Sequence, residues 1–378
     1  MKRSLLNVAV LVVLMGLLVA GCGGSTVDDD SGATTIAESS DTSQGTDPSS
    51  ETTTEPSAEM DEVSILLPFP LGIGWTGLVV GEQLGFFEDE NLSITTEATD
   101  GGGFVVQQVL AGNVDYGLAA ASEAIIAYNR DPGMRAAFCN KSRNIFQITA
   151  LEGSPIESVS DLQGTVMGIS EAGGGEVNIL TAILEDAGLS VGEDVELLPI
   201  GGAGPAAAVA IEDGTVDAYT SSFPDIINLR LAGVDLRDIT PEEFDEQPGD
   251  CFLVMEETLE DPAKADIVER ISRAWSKGSL YAENNPEEAL ELACEAVPES
   301  CVDEEYAARY WEFNVDSLSA SEDVLPGETS LPGWELVAQL LYSAGTTETL
   351  VDPAPIISGG IIGEIRDAWT SYDPSEVG

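Results

Sequence analysis

The sequence predicts an α/β protein built as two similar lobes. A stretch at Asp100–Glu123 (DGGGFVVQQVLAGNVDYGLAAASE) recurs as Gly201–Pro224 (GGAGPAAAVAIEDGTVDAYTSSFP). In each copy glycines open a short apolar-rich helix, Gly112-Asn113 or Asp213-Gly214 stops it, and a brief strand follows. Gly112, Val114 and Asp115 align with Gly214, Val216 and Asp217 at one constant offset. The match extends upstream, where Val63 to Phe69 and Thr165 to Ser170 are strand-like runs that end in glycine-rich loops. Helix-like segments follow at Gly77–Phe87 and Val177–Ala187, and then Leu92-Ser93-Ile94 and Leu189-Ser190-Val191 lead toward further strands. Each half reads β-loop-α-β-GG-α-β, which two lobes explain more economically than one large sheet.

The chain is 378 residues long, for which two domains are the natural expectation. At its start Lys2 and Arg3 precede an apolar run from Leu5 to Ala20, broken only by Asn7. That is short for a membrane span and right for a secretory signal. The run ends in Val19-Ala20-Gly21-Cys22, and small residues directly before a cysteine resemble the lipobox of bacterial lipoproteins. The resemblance implies cleavage before Cys22 and a diacylglyceryl group on it, so residues 1–22 are expected to be a lipoprotein signal peptide. Residues 23–61 are rich in Ser, Thr, Asp, Glu, Gly and Pro, with little to bury, and are expected to form a disordered acidic tether.

The chain carries 14 Lys and Arg against 68 Asp and Glu, a net charge of −54. Such a surface repels nucleic acid and anionic lipid and argues against either as a partner. After Cys22 four cysteines remain: Cys139, Cys251, Cys294 and Cys301. An even count in an exported chain suggests two disulfides, with about three possible pairings. Cys294 and Cys301 flank Pro298 at a helix break and are paired locally, which leaves Cys139 with Cys251 at the base of the second lobe. The spacing is wrong for zinc and the sequence has no histidine, so no metal site is assigned.

Phe138 to Leu151 is strand-like, and the second lobe is expected over residues 153–251. Phe252 to Met255 is one more strand. Helical segments follow at Ala263–Asn284, Pro286–Ala296, Glu304–Phe313, Trp334–Ser343 and Gly359–Trp369, and are expected to pack around the first lobe. The first lobe would then comprise residues 62–152 and 252–378, with two crossing strands at a hinge.

Several short motifs occur together and in order. They are Gly85–Leu92 (GFFEDENL), Gly101-Gly102-Gly103, Leu110–Gly117 (LAGNVDYG), Ser160–Gly164 (SDLQG) and Gly214–Ala218 (GTVDA). With them the sequence resembles the substrate-binding proteins of ABC importers, and within these the nitrate, sulfonate, taurine and thiamine-pyrimidine group. The resemblance covers most of Glu62 to about Leu280. It implies a two-lobed periplasmic-binding-protein-like fold of type II, a small-molecule ligand and ABC permease subunits as partners. It further implies a monomer without cofactor or catalytic activity, held on the outer side of the membrane by the lipid on Cys22.

Ligands of open α/β sheets lie beyond the carboxyl ends of the strands. Those ends fall at Pro70–Thr76, Asp100–Gly103 and Ala119–Glu123 in one lobe, and at Ser170–Glu176, Gly201–Gly204 and Thr220–Phe223 in the other. These loops contain no Lys or Arg but do contain Glu123, Glu171, Glu176, Trp75 and Phe223. A neutral or cationic ring fits them better than nitrate or a sulfonate, and an aminopyrimidine thiamine precursor fits best. Trp75 and Phe223 are expected to supply apolar contact. Thr76, Ser122, Ser221, Ser222 and the amides of Gly102, Gly103 and Gly174 would supply hydrogen bonds, and Glu123 or Glu176 the charge. A rival reading comes from Gly72-Ile73-Gly74-Trp75-Thr76-Gly77, a literal GxGxxG before a helix, which suggests an exported dinucleotide-binding oxidoreductase. Trp75 would crowd a pyrophosphate there. The absence of histidine removes Ser-His-Asp and Cys-His catalysis and counts against the histidine-using pyrimidine-synthesising relatives of the group.

Overall fold

The computed structural model describes residues 60–172, 174–319, 326–328 and 330–357. The segment expected to be a signal peptide with Cys22, the expected tether as far as residue 59 and the helix expected at Gly359–Trp369 lie outside the described residues.

Ten described strands form two sheets. They are β1 (Asp61–Leu67), β2 (Leu92–Ala98), β3 (Gly117–Ala120), β4 (Met134–Cys139), β5 (Phe146–Leu151), β6 (Thr165–Ile169), β7 (Val195–Pro199), β8 (Ala218–Ser222), β9 (Leu236–Asp238) and β10 (Asp250–Met255). One sheet has the order β2-β1-β3-β10-β4 and the other β7-β6-β8-β5-β9. The two orders are the same plan written twice. In each, a parallel trio is followed by an antiparallel strand: β10 against β3 in the first sheet, and β5 against β8 in the second.

The repeat has a local cause. Gly112 and Gly214 end corresponding helices in the left-handed region, at φ 65° and 76°, where a side chain would be strained. The chain reverses there and enters the central strand of its sheet. The helices that precede these turns, Gly102–Leu110 and Pro205–Glu212, bury Val105, Val106 and Val109 in one case and Ala207 and Ile211 in the other.

The run Phe138–Leu151, expected as one strand-like stretch, is two strands in different sheets. β4 closes the edge of the first sheet, residues 140–145 cross over, and β5 pairs with β8 and β9 in the second. The crossing therefore precedes residue 152, so the end of the span assigned to the first lobe belongs to the second sheet. The return crossing runs from β9 to β10, and Cys139 stands opposite Cys251 in the β4–β10 register.

The long helix Pro262–Asn284 lies against Thr76–Gln83. Their approach is so close that a Cβ on Gly278 would stand 2.2 Å from the carbonyl of Gly77. Trp75, Trp275 and Phe138 fill the apolar layer beside them. The helix Leu331–Ser343 departs from the expected packing around the first lobe. It contributes Trp334, Val337 and Leu341 to an apolar cluster that holds Ala119 and Ala136 of the first sheet together with Ile148 and Met167 of the second.

Both cysteine pairs stand at bonding distance, with S–S 2.02 Å for Cys139–Cys251 and 2.03 Å for Cys294–Cys301. The first closes a sequence separation of 112 and the second one of 7. Loop-closure entropy assigns them about 4.8 and about 2.4 kcal/mol respectively. The double variant Cys139→Ala/Cys251→Ala is thus expected to lose roughly twice the unfolding free energy lost by Cys294→Ala/Cys301→Ala. Urea unfolding of the two variants checks this, and equal losses would count against a constraint set by loop length.

Candidate functional site

A cavity of about 430 Å³ opens between the carboxyl ends of β1 and β8. Phe69 to Trp75, after β1, form one wall, and Ser222, Pro224 and Asp225, after β8, face it. Lys141 and Ile145 come from the first crossing segment and Asp250 from the start of β10. Glu299, Ser300, Tyr306, Tyr310, Phe313 and Asn314 close it from the C-terminal helices.

The walls are aromatic. Phe69 stacks on Trp75 at 4.6 Å between ring centroids, and Tyr306 lies 5.6 Å from Tyr310. Phe313 stacks on Phe223 at 3.6 Å, joining the C-terminal helix to the loop after β8. Tyr306, Tyr310 and Asn314 share one face of the helix Glu304–Asp316, because residues four apart lie above one another. Gly74 makes room for that face: a Cβ there would stand 2.2 Å from the Tyr310 hydroxyl. The glycines of the GxGxxG therefore each admit a neighbour, Ser300 at Gly72, Tyr310 at Gly74 and Trp275 at Gly77. Ser300, Tyr310 and Trp275 crowd the three glycines on which a dinucleotide pyrophosphate would have to rest.

The inner end is polar and charged. Lys141 is 3 % exposed and Asp250 5 %. The Lys141 ammonium donates to the Thr76 hydroxyl and to the Asn314 carbonyl, each at 3.3 Å. Burial pushes the Lys141 amine below its usual range, and the nearby Asp250 carboxylate partly restores it. Burial pushes Asp250 up, and Lys141 opposes that shift.

Of the residues expected from sequence at the ligand, Trp75 and Ser222 line this cavity. Thr76 stands behind it as the Lys141 partner. Phe223 meets it through its stack on Phe313. The Ser221 hydroxyl donates to Asp225 at 2.5 Å, and Asp225 also accepts from the Ala203 amide at 3.0 Å and from Ser222 at 3.4 Å. The remaining loops meet one another instead of a cavity. Glu123 accepts from the Ala120 amide at 3.0 Å, at the start of its own helix, and its carboxylate lies against Gly102, with Gly103 beside it. Glu176 accepts from the Ser170 hydroxyl and sits beside Gly174. Gly101 faces Glu171, and Gly175 faces Ala120, so the two halves touch here. Ser122 is buried away from the aromatic cavity, next to Gln247 in a small internal space.

Sequence reasoning missed Phe69, Lys141, Asp225, Asp250, Tyr306, Tyr310, Phe313 and Asn314. Two signals were present. Lys141 sits in a short polar stretch, Asn140–Asn144, between apolar segments of a chain with only 14 Lys and Arg, and the Tyr306-Tyr310-Asn314 spacing is a helical stripe.

A family model described as NMT1/THI5 like matches residues 73–289. The 4-amino-5-hydroxymethyl-2-methylpyrimidine phosphate synthase of Legionella pneumophila is 24% identical over 255 residues, covering 63% of this chain and 74% of that protein. Riboflavin-binding protein RibY of Chloroflexus aurantiacus is 22% identical over 382 residues, covering 98% of this chain and 97% of that protein. Among solved structures, the periplasmic aliphatic sulphonate binding protein SsuA from Escherichia coli superposes with a TM-score of 0.59 at 18% identity, covering 78% of this chain and 91% of that one. The likeness is one of fold, and the fold is that of the periplasmic binding proteins.

The seam between the halves carries a pH dependence. Burial pushes the Glu123 carboxyl up from 4.5 to about 7; the Ala120 amide opposes this, and Asp250 and Glu176 add to it. A raised folded-state value means the folded protein holds the proton more tightly. Glu123 therefore favours folding as pH falls from about 7 toward 4.5, and that contribution is lost as pH rises through about 7. Glu123→Gln cannot ionise but can still accept from Ala120. It is expected to exceed the parent by about 1 kcal/mol at pH ~5 and by roughly 3 kcal/mol at pH ~8. Urea unfolding at the two pH values checks this; the same difference at both would remove Glu123 as the titrating group.

Proposed function

The chain belongs to the NMT1/THI5-like family, and from that premise we propose that it is a lipid-anchored, extracytoplasmic substrate-binding protein. It captures a small nitrogenous ring compound in the aromatic cavity and delivers it to the membrane subunits of an ABC importer. An aminopyrimidine thiamine precursor is the ligand that fits best.

The observation that carries this reading is the chemistry of the cavity lining. Phe69, Tyr306, Tyr310 and Phe313 offer flat apolar surface on which a ring can stack, and the buried Trp75 backs Phe69. Asp225, Asp250 and Glu299 outnumber the one amine, Lys141. A sulfonate or nitrate entering this space meets more negative charge than positive, whereas an amino-substituted ring finds acceptors. The volume of about 430 Å³ is that of a small-molecule pocket. The two relatives found by sequence are both named for nitrogen heterocycles, a pyrimidine in one and a flavin in the other. A flavin is the second reading, favoured by the relative whose match runs along 98% of the chain. Binding without catalysis is supported by the composition, which has no histidine to carry protons. Anchoring and export rest on the apolar run Leu5–Ala20 and the small residues before Cys22. Capture follows from two sheets that meet around a cavity and close on a ligand by hinge motion.

Thermal-shift measurements across aminopyrimidines, riboflavin, alkylsulfonates, nitrate and a nicotinamide dinucleotide test the ligand class, because a ligand bound only by the folded state raises the melting temperature. A ring compound is expected to give the largest rise; a response to nitrate or an alkylsulfonate alone would overturn the reading. Phe69→Ala is expected to weaken ring binding about tenfold or more by calorimetry. Phe69 is 39 % exposed, so its removal costs little stability, whereas Trp75 is wholly buried and its truncation would cost about 3–5 kcal/mol. Cys22→Ser is expected to move the protein from the membrane fraction to the soluble fraction of cells; unchanged membrane retention would refute the anchor.

A further inference from the structure

The inner end of the cavity holds polar groups that the described residues leave incompletely paired. Asn314 lines the cavity and is 1 % exposed, and neither its side-chain nitrogen nor its side-chain oxygen makes a well-formed hydrogen bond among the described residues; the Tyr310 hydroxyl, one turn earlier on the same helix, is the polar group close enough to act on it. Asn314 lies inside the helix Glu304–Asp316, where asparagine is a poor helix former, so neither local propensity nor an internal bond accounts for it. Beside it Lys141 spends two of its three N–H groups on Thr76 and the Asn314 carbonyl, which leaves one without a partner among the described residues. Asp250 lines the same end, and its carboxylate is influenced by burial and by Lys141, with no hydrogen bond from a described group. The end thus offers an amide donor and acceptor side by side, one further donor and one further acceptor.

We infer that Asn314 is the residue that determines specificity, pairing through both atoms of its amide with a ring edge that carries an N–H donor next to an acceptor, while Asp250 and Lys141 receive the flanking groups of that edge. The inference rests on the ring-binding reading and narrows it. An amide pairs in two bonds with an amino group beside a ring nitrogen, as in a 4-aminopyrimidine. It pairs equally with an imide, as in a flavin, where the N–H stands beside a carbonyl. The same geometry lets asparagine and glutamine read adenine. Tyr310, one helical turn before Asn314 on the same face, offers the plane on which such a ring lies while its edge reaches the amide. A sulfonate presents acceptors only and leaves the amide acceptor and Asp250 unpaired. Sites built this way reject analogues that lack the donor, because their own buried groups are then stranded.

Two matched probe pairs test the inference with the full chain. One is 4-amino-2-methylpyrimidine against 4-dimethylamino-2-methylpyrimidine, and the other is riboflavin against 3-methylriboflavin. In each pair the second member keeps the ring and loses the N–H. Titration calorimetry is expected to show the N–H member of at least one pair bound roughly tenfold or more tightly by the parent protein. In Asn314→Leu that preference is expected to collapse to near unity. The ligand-free melting temperature of this variant is expected to hold or rise, since an unpaired buried amide has been replaced by an apolar group of similar size. Asn314→Gln, which keeps the amide on a longer arm, is expected to retain part of the preference, and it serves as the second variant if the leucine variant does not fold. A parent that binds the probes without preference, or a preference that survives in both variants, would overturn the role of Asn314 while leaving ring binding intact. A parent that binds neither pair but takes an alkylsulfonate would overturn the ring-binding reading, and this inference with it.

Discussion

Everything at the site hangs from the place where the chain crosses twice between its sheets. β4 and β10 run antiparallel there, with Cys139 opposite Cys251 and their sulfurs bonded. Lys141 follows Cys139 by two positions, and Asp250 immediately precedes Cys251. The register of one strand pair therefore carries an amine and a carboxylate to the same end of the cavity. Neither charge is comfortable alone, because an uncompensated buried ion costs several kcal/mol. Each moderates the other: burial lowers the lysine and raises the aspartate, and the partner opposes both shifts. The pair is tolerable because the crossing brings both members, and a ligand edge inserted near them meets groups not fully satisfied by the protein.

The halves meet differently on the two sides of this crossing. On one side the helix Leu331–Ser343 joins an apolar cluster that runs from Ala119 and Ala136 of one sheet to Ile148 and Met167 of the other. Separating those groups would expose apolar area at about 25 cal/mol per Å². The glycine loops close this side, with Gly101 on Glu171 and Gly175 on Ala120. On the other side the halves meet through rings, chiefly the Phe223–Phe313 stack over the cavity. Phe69, at the mouth of the cavity, is 39 % exposed.

The fold was largely legible in the sequence, since its strongest signals are local. Gly112 and Gly214 mark turns that only glycine makes easily, and the apolar periods between such turns set the strands and helices of both halves. The cavity was half legible. Strand ends predicted the loops that hold Trp75 and Ser222, but residues 140–145 read as the middle of one strand because Phe138 and Ile145–Leu151 flank them with apolar side chains. A run of residues suited to extended structure cannot reveal that its two ends join different sheets. The stripe Tyr306-Tyr310-Asn314 read as an ordinary buried helix face, since a core and a ligand demand the same spacing. Its relation to Gly74 is a contact across more than half the folded chain, which no local pattern encodes.

The hydroxyls and carboxylates of the rims were read as free for a ligand, and the structure turns most of them inward for one physical reason. Strand ends that lead into helices expose backbone N–H groups, and an acidic residue a few positions into the helix is the nearest acceptor. Glu123 takes the Ala120 amide in this way. Asp225, early in the helix after β8, gathers the Ser221 and Ser222 hydroxyls and reaches across to the Ala203 amide. These bonds stabilise each duplicated half and so are met within it. The cavity is lined instead by parts that are not duplicated, the two crossing segments and the helix Glu304–Asp316, which bring Lys141, Asp250 and Asn314 to its inner end.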